Sequence, residues 1–341
     1  MKKSLMTLGV LALFVLMAYG QEKKFALYSV AFYNMENLFD TIHDEGKNDY
    51  EYLPNGTNQW NTMKYKAKLK NMSEILSLLS TDKLPMGPAI IGVSEIENYR
   101  VLEDILKQPA LADKGYQYVH YEGEDRRGVD CAFFYNPKLF ELTNSKLVPY
   151  VYINDTVHKT RGFLIASGNI AGEKMHFIVN HWPSRAAASP ARERAGGQVR
   201  AIKDSLLKED SAAKIVIMGD MNDDPMDKSM AVALGAKRKP ADVGPTDLYN
   251  PWWDTLKKGY GTLMYKGKWN LFDQIVFTGN LLGTDRSTLK FYKHEIFRRD
   301  FMFQKEGKYK GYPKRTQAGG VWLNGYSDHL PTIIYLIKEV K

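Results

Sequence analysis

Seven short apolar runs recur along the chain, at residues 25–33, 89–93, 129–135, 175–179, 214–218, 272–277 and 332–337. They are rich in β-branched and aromatic side chains and read as buried strands. Between them the period changes. Tyr65, Leu69, Met72, Leu76 and Leu79 follow one another at steps of four and three, with Lys66, Lys68 and Lys70 interleaved, which predicts an amphipathic helix. A second helix is expected over 191–207, with Ala195, Val199, Ile202 and Leu206 on one face. Segments 209–213 and 237–244 read as loops. Strands and helices interleave without a strict βαβ rhythm, so the pattern predicts an α/β protein of mixed sheets with helices packed outside them.

Residues 1–20 break this pattern. Lys2 and Lys3 precede an apolar run over 5–17, then Ala18, Tyr19 and Gly20 and a polar stretch; this is the arrangement of a secretory signal peptide cleaved after Gly20. The run falls short of the ~20 apolar residues needed to span a bilayer. No linker-like composition interrupts residues 21–341, so they are expected to form one domain.

With 44% hydrophobic and 12% aromatic residues, the chain has ample material for a core, and the composition excludes a disordered protein. Cys131 is the only cysteine. It can form no internal disulfide, and its apolar neighbours mark it as a small buried hydrophobe. The formal charge is +8, from 47 Lys and Arg against 39 Asp and Glu. Loss of Lys2 and Lys3 with the leader removes two of those charges. A basic protein suits a polyanionic partner such as nucleic acid.

The chemistry gathers where the apolar runs end. The first leads into Asn34, Met35, Glu36 and Asn37; the second into Ser94, Glu95, Ile96 and Glu97; the fourth into Asn180, His181 and Trp182; the fifth into Gly219, Asp220, Met221, Asn222, Asp223 and Asp224. Asp273 opens the sixth run, and Asp328 and His329 precede the last. One such residue is explained by turn formation. Six sites in one chain, all of types that ligate hard cations or carry protons, point to a functional site that binds a divalent cation. Carboxylates and amide oxygens favour Mg²⁺ or Mn²⁺; zinc would call for closely spaced His and Cys, which the sequence lacks.

The phrases YNMENLFD (33–40), GVSEIEN (92–98), VNHWPSR (179–185), GDMNDDP (219–225), FDQI (272–275) and YSDHLP (326–331) resemble the ordered motifs of the endonuclease/exonuclease/phosphatase superfamily. The resemblance implies a four-layer α/β sandwich, similar to deoxyribonuclease I and exonuclease III, with two mixed β-sheets packed face to face, helices outside and the site at one end. It implies that Glu95 is the main carboxylate ligand of Mg²⁺ or Mn²⁺, assisted by Asn34 and Asp328. Asp220 and Asn222 match the pair that orients the attacking water and the phosphate. His329 matches the histidine that touches the scissile phosphate, Asp273 its carboxylate partner, and His181 the second histidine of the deoxyribonuclease I and sphingomyelinase branches. Arg127 and Arg185 are candidate phosphate clamps. Glu36, Glu97 and Asp224 are expected to act as turn residues or behind the ligands.

The sequence departs from the abasic-site endonucleases, because His181, Trp182 and Pro183 stand where that branch has an aromatic hydroxyl segment; it also lacks the disulfides of secreted deoxyribonuclease I. The leading expectation is an exported, metal-dependent nuclease that acts on DNA or RNA as a monomer, with no protein partner inferred. A sphingomyelinase-like phospholipase, or a sugar or lipid phosphatase, is the alternative, with residues 250–253 (Asn-Pro-Trp-Trp) as a membrane-contact loop. A non-catalytic nucleic-acid-binding module ranks last.

Overall fold

The computed structural model describes residues 23–152 and 157–340; the expected leader at 1–20 lies outside them. The first half contains β1 (Lys24–Leu38), α1 (Thr62–Leu78), β2 (Ile90–Ile96), α2 (Tyr99–Leu106), β3 (Gln117–His120), β4 (Asp130–Tyr135) and β5 (Phe140–Val148). Next come β6 (Phe163–Ile170), β7 (Glu173–His181), α3 (Ser189–Glu209), β8 (Lys214–Asp220), β9 (Ala236–Lys237), β10 (Leu248–Tyr249) and α4 (Trp253–Lys257). The remainder holds β11 (Leu263–Tyr265), β12 (Lys268–Asn270), β13 (Asp273–Thr278), β14 (Lys290–Ile296), β15 (Gln317–Ala318), β16 (Val321–Trp322) and β17 (Thr332–Val340).

Two mixed sheets carry the fold. One has the order β14-β17-β1-β2-β4-β3, the other β5-β6-β7-β8-β13-β10-β9. Each has a parallel pair near its centre, β1 with β2 and β7 with β8, flanked by antiparallel neighbours. Alternation along the strands explains the layers. Val30 and Phe32 of β1 meet Phe177, Val179, Val216 and Met218 in a core between the sheets. Ala31 and Tyr33 face the other way, against Leu69, Met72 and Ile75 of α1 and Val101 and Ile105 of α2. On the far side, Ile178, Ile215 and Ile217 pack against Ala195, Val199 and Leu206 of α3. The result is the four-layer sandwich implied by the motifs.

All seven apolar runs become strands, and both periodic segments become helices. Lys68 departs from the interleaved lysines of α1: it is fully buried because its ammonium reaches the Thr316 hydroxyl, the Tyr326 carbonyl at 2.8 Å and Glu36 at 3.6 Å. Cys131 is buried in the inter-sheet core, where burial pushes its thiol well above the usual range. Segment 237–244 is not wholly a loop, since it begins in β9 and includes a 3₁₀ turn at Pro240–Asp242. Trp252 is buried with its indole N–H donating to the Ile275 carbonyl at 2.9 Å, so 250–253 is core rather than a membrane-contact loop.

Candidate active site

The two parallel pairs end at the same edge of the sandwich, the edge where α/β sheets bind ligands. At the end of β1 the register slips between Asn34 and Leu38, and at the end of β2 between Ser94 and Ile96. Glu36, Asn37 and Glu95 there adopt left-handed φ of 46°, 51° and 58°. Such bulges re-aim side chains, and for non-glycine residues they cost free energy that functional sites commonly carry. Asn222, just after β8, is left-handed too, at 52°. On the other sheet His181, Asp220 and Asp273 stand abreast on β7, β8 and β13.

Asn34 ties the two sheets together. Its amide N–H₂ donates to Glu95 at 3.2 Å and to Asp220 at 3.0 Å. The amide orientation is fixed because Asn34 Oδ1 accepts the Glu36 backbone N–H at 2.8 Å. Glu95 also accepts the Asn37 N–H at 2.9 Å. His181 Nε2 lies 3.6 Å from Glu95 and 3.7 Å from Asp220. His329 Nδ1 is 2.7 Å from Asp273, and its Nε2 is 3.9 Å from both Asp220 and Asp328. The loop before β17 is held by the Ser327 hydroxyl, which donates to the Asn34 carbonyl and accepts the His329 N–H.

The two histidines have opposite electrostatics. Burial opposes charge on His329, but Asp273, Asp220 and Asp328 together outweigh it and hold the ring well above the ordinary histidine range. Burial, reinforced by Arg161, Arg127 and His329, pushes His181 well below that range. Burial together with Asp273 and Glu95 raises Asp220 to about 7, against the pull of His329 and the Asn222 N–H. Glu95, His181, Asp220, Asn222, His329 and Arg127 share an open cavity of about 470 Å³.

Glu95, His181 and Asp220 form a cation-sized group, with one donor atom from each within 4.8 Å of the others; Asp220, Asp273 and His329 form a second. This donor set fits a hard divalent cation. It differs from the expected trio of Asn34, Glu95 and Asp328. Asn34 offers its N–H₂ to the acids, and Asp328 is drawn to Arg315 at 2.9 Å. A separate group, His120, Glu122 and Asp130, lies on β3, β4 and the loop between them.

Arg185 is not turned toward the cavity. Its guanidinium contacts Asp224 at 3.2 Å and Asp227 at 2.8 Å, covers the Phe272 ring at 4.4 Å and donates to the Asn222 carbonyl at 3.1 Å. Asp224 accepts the Leu271 N–H, and Glu97 the Asp40 N–H, so both serve local backbone. Glu36 is buried against Lys68 and Arg315. Sequence reasoning missed Arg161, which lines the cavity while bonding Asp125 at 3.1 Å and the Trp182 carbonyl at 2.8 Å. Its one sequence signal is an arginine two residues before the apolar start of β6.

A phosphoester fits this combination of clustered carboxylates, a charged histidine and arginines facing one open cavity. The class is confirmed by the chain itself: residues 29–338 match the endonuclease/exonuclease/phosphatase family, and the protein belongs to it. This is a superfamily of hydrolases acting on phosphoester bonds. No curated protein matches the sequence. Among solved structures, an endonuclease/exonuclease/phosphatase family protein from Bacteroides thetaiotaomicron aligns with TM-score 0.57 and 15% identity, over 93% of this chain and 97% of that one. D. rerio TDP2 complexed with single strand DNA product aligns with TM-score 0.54 and 14% identity, over 91% and 98%. A mannosyl-6-phosphatase from Bacteroides thetaiotaomicron aligns with TM-score 0.56 and 14% identity, over 91% and 99%. At these identities the likeness is one of fold.

Proposed function

We propose that this protein is an exported, Mg²⁺- or Mn²⁺-dependent phosphodiesterase that cleaves DNA or RNA. The observation that carries the reading is the pair of histidines in opposite states, His329 held charged by Asp273 and His181 held neutral, on either side of Asp220. Sites that push neighbouring groups apart in this way define an acid and a base. Glu95 would hold the ion, which when bound supplies charge stabilisation at the non-bridging phosphate oxygens.

The protein's own groups supply the rest. His329 presents a charged N–H to a phosphate oxygen, with Asp273 fixing its ring. Asp220, raised to about 7, is suited to take a proton from an attacking water near neutral pH. Arg127 and Arg161, which line the same cavity, add positive charge. The leader-like pattern of residues 1–20 supports export, and the basic composition and the DNA-bound TDP2 relative support a nucleic-acid substrate.

A second reading, hydrolysis of a sugar phosphate, is favoured by one observation. A neighbouring cavity of about 360 Å³ is lined by Tyr52, Trp60, Glu51, Asn58 and Asn37, aromatic and hydrogen-bonding groups that suit a sugar, and a mannosyl-6-phosphatase shares the fold. The deciding experiment offers residues 21–341 plasmid DNA, RNA, sphingomyelin and phosphomonoesters with Mg²⁺ or Mn²⁺. Cut polynucleotide is expected. Free phosphate as sole product would sink the nuclease reading, and silence on every substrate would sink the enzymatic one.

A further inference from the structure

The positive charge of this chain is concentrated. Residues 298–315 hold seven Lys or Arg against only Asp300 and Glu306, a surplus of five within a chain whose total is +8. Several exposed cations elsewhere are matched, Arg100 with Asp40 and Asp44, Lys237 with Asp247 and Arg238 with Asp254, while others such as Lys66, Lys70, Lys257 and Lys258 stand alone or in twos rather than in so dense a cluster. Among the described residues, Lys305, Lys308 and Lys310 have no carboxylate within 4.0 Å, and all are exposed. A cluster of unpaired like charges repels itself, and a polyanion relieves that repulsion while releasing counterions.

The segment is built to project. Gln304 and Tyr312 pair through an N–H to carbonyl bond of 2.8 Å, and Gly311 donates back to Gln304 at 2.8 Å, which leaves Lys305–Lys310 at the tip of a hairpin. Its base is anchored by the Lys314 N–H on the Met302 carbonyl and by the Gly267 N–H on the Tyr312 hydroxyl. That second bond joins it to the β11–β12 hairpin, where Lys266 lies 5.3 Å from the ring of Tyr265. The surface runs into the catalytic cleft. Leu263 of β11 bridges to His329, Arg315 pairs with Asp328, and Tyr309 lines a cavity with Asn37, whose N–H holds Glu95.

We propose that this hairpin and the neighbouring β11–β12 turn form a docking tract for the single strand of a polynucleotide beyond the bond being cut, an inference that rests on the nuclease reading above. Lysines take the phosphates, and the exposed rings of Tyr265 (63% exposed) and Tyr309 (51%) offer flat faces on which bases stack. An anionic membrane is the less favoured occupant: the exposed rings here are mostly tyrosines, and Phe301 is the one wholly apolar large side chain among them.

The test compares the wild type with a Lys305→Ala/Lys308→Ala/Lys310→Ala variant. Binding of a fluorescent single-stranded oligonucleotide is measured by anisotropy in EDTA, and cleavage with Mg²⁺ or Mn²⁺ is followed on that oligonucleotide and on bis(p-nitrophenyl) phosphate. Three lost phosphate contacts should weaken oligonucleotide affinity roughly 10- to 50-fold near ~0.15 M salt and flatten the log–log salt slope by about 2. Turnover of the small diester should be unchanged. Wild-type affinity and slope in the variant would overturn the tract while leaving the nuclease reading intact. A wild type that cleaves the small diester but neither binds nor cuts the oligonucleotide defeats that reading and the tract with it. Loss of binding to phosphatidylserine vesicles with oligonucleotide affinity unchanged would assign the hairpin to membranes instead.

Discussion

The two sheets meet at the active-site edge with different chemistry. The six-stranded sheet brings Glu36, Glu95 and, through the loop before β17, Asp328, and balances these carboxylates with fixed cations: Lys68 at 3.6 Å from Glu36, and Arg315 bridging Glu36 and Asp328 at 2.9 Å each. The seven-stranded sheet brings His181, Asp220 and Asp273 abreast on three strands, with His181 driven well below the ordinary histidine range and His329, reaching Asp273 from the loop before β17, held well above it. One rim is organised to hold charge in place and the other to move protons. Asn34, donating to a carboxylate of each rim, fixes their relative position.

The largest expected effect tests that division directly. Removing either Glu95 or His329 as alanine should lower kcat by roughly 10²–10⁴-fold, the range for a lost proton-transfer or charge-stabilising group. Only Glu95→Ala should also weaken the ion, seen as a higher Mg²⁺ or Mn²⁺ concentration for half-maximal activity. Equal loss of metal dependence in both variants would erase the distinction between the rims.

Next in size is the buried cation. Lys68→Met strips Glu36 of a partner in a site where both groups are buried, and removing one member of a buried pair costs about 3–5 kcal/mol. Urea denaturation should show that loss. A lysine titrated by solvent would cost almost nothing, so a loss below about 1 kcal/mol contradicts the assigned role.

Lys68 also marks where the sequence stopped being informative. The seven strands were legible because those most deeply buried are apolar on both faces, and the two long helices because their apolar spacing is regular. Five of the other strands hide for identifiable reasons. Strand β5 alternates exposed and half-buried polar residues at a sheet edge, while β9, β10, β15 and β16 are two residues long and exist through pairing alone. The site residues were legible as motifs, since each follows or opens a buried strand. Their partners were not. That Lys68 turns inward, that Arg161 faces the cavity and that Arg315 takes Asp328 depend on residues distant in the chain, and local periodicity carries no trace of those contacts.

The proton-moving rim should show its nature in stability against pH. Asp220 has an ordinary value of 3.8 and is raised to about 7 in the fold, so its raised value favours folding below pH ~4 and that contribution is lost as pH rises to about 7. In EDTA, Asp220→Asn should therefore match the wild type near pH 4 and become progressively more stable than it up to pH 7–8, by up to about 4 kcal/mol. Thermal melting across this window checks the sign. A variant that loses stability relative to the wild type as pH rises would mean that Asp220 is held as a carboxylate by its neighbours.

The smallest effects separate the arginines. Arg127 lines the catalytic cavity, and its alanine variant should raise KM for a phosphodiester about tenfold, the value of one charge-assisted hydrogen bond. Arg185 is 42% exposed and already engaged by Asp224 and Asp227; surface pairs of this kind contribute at most about 1 kcal/mol. Arg185→Ala should leave KM within about threefold and shift stability only slightly, acting on kcat through the Asn222 carbonyl it holds. If KM instead rises as far as in Arg127→Ala, Arg185 must leave its carboxylates when substrate arrives, and the seven-stranded rim would then contain a fixed phosphate-binding cation after all.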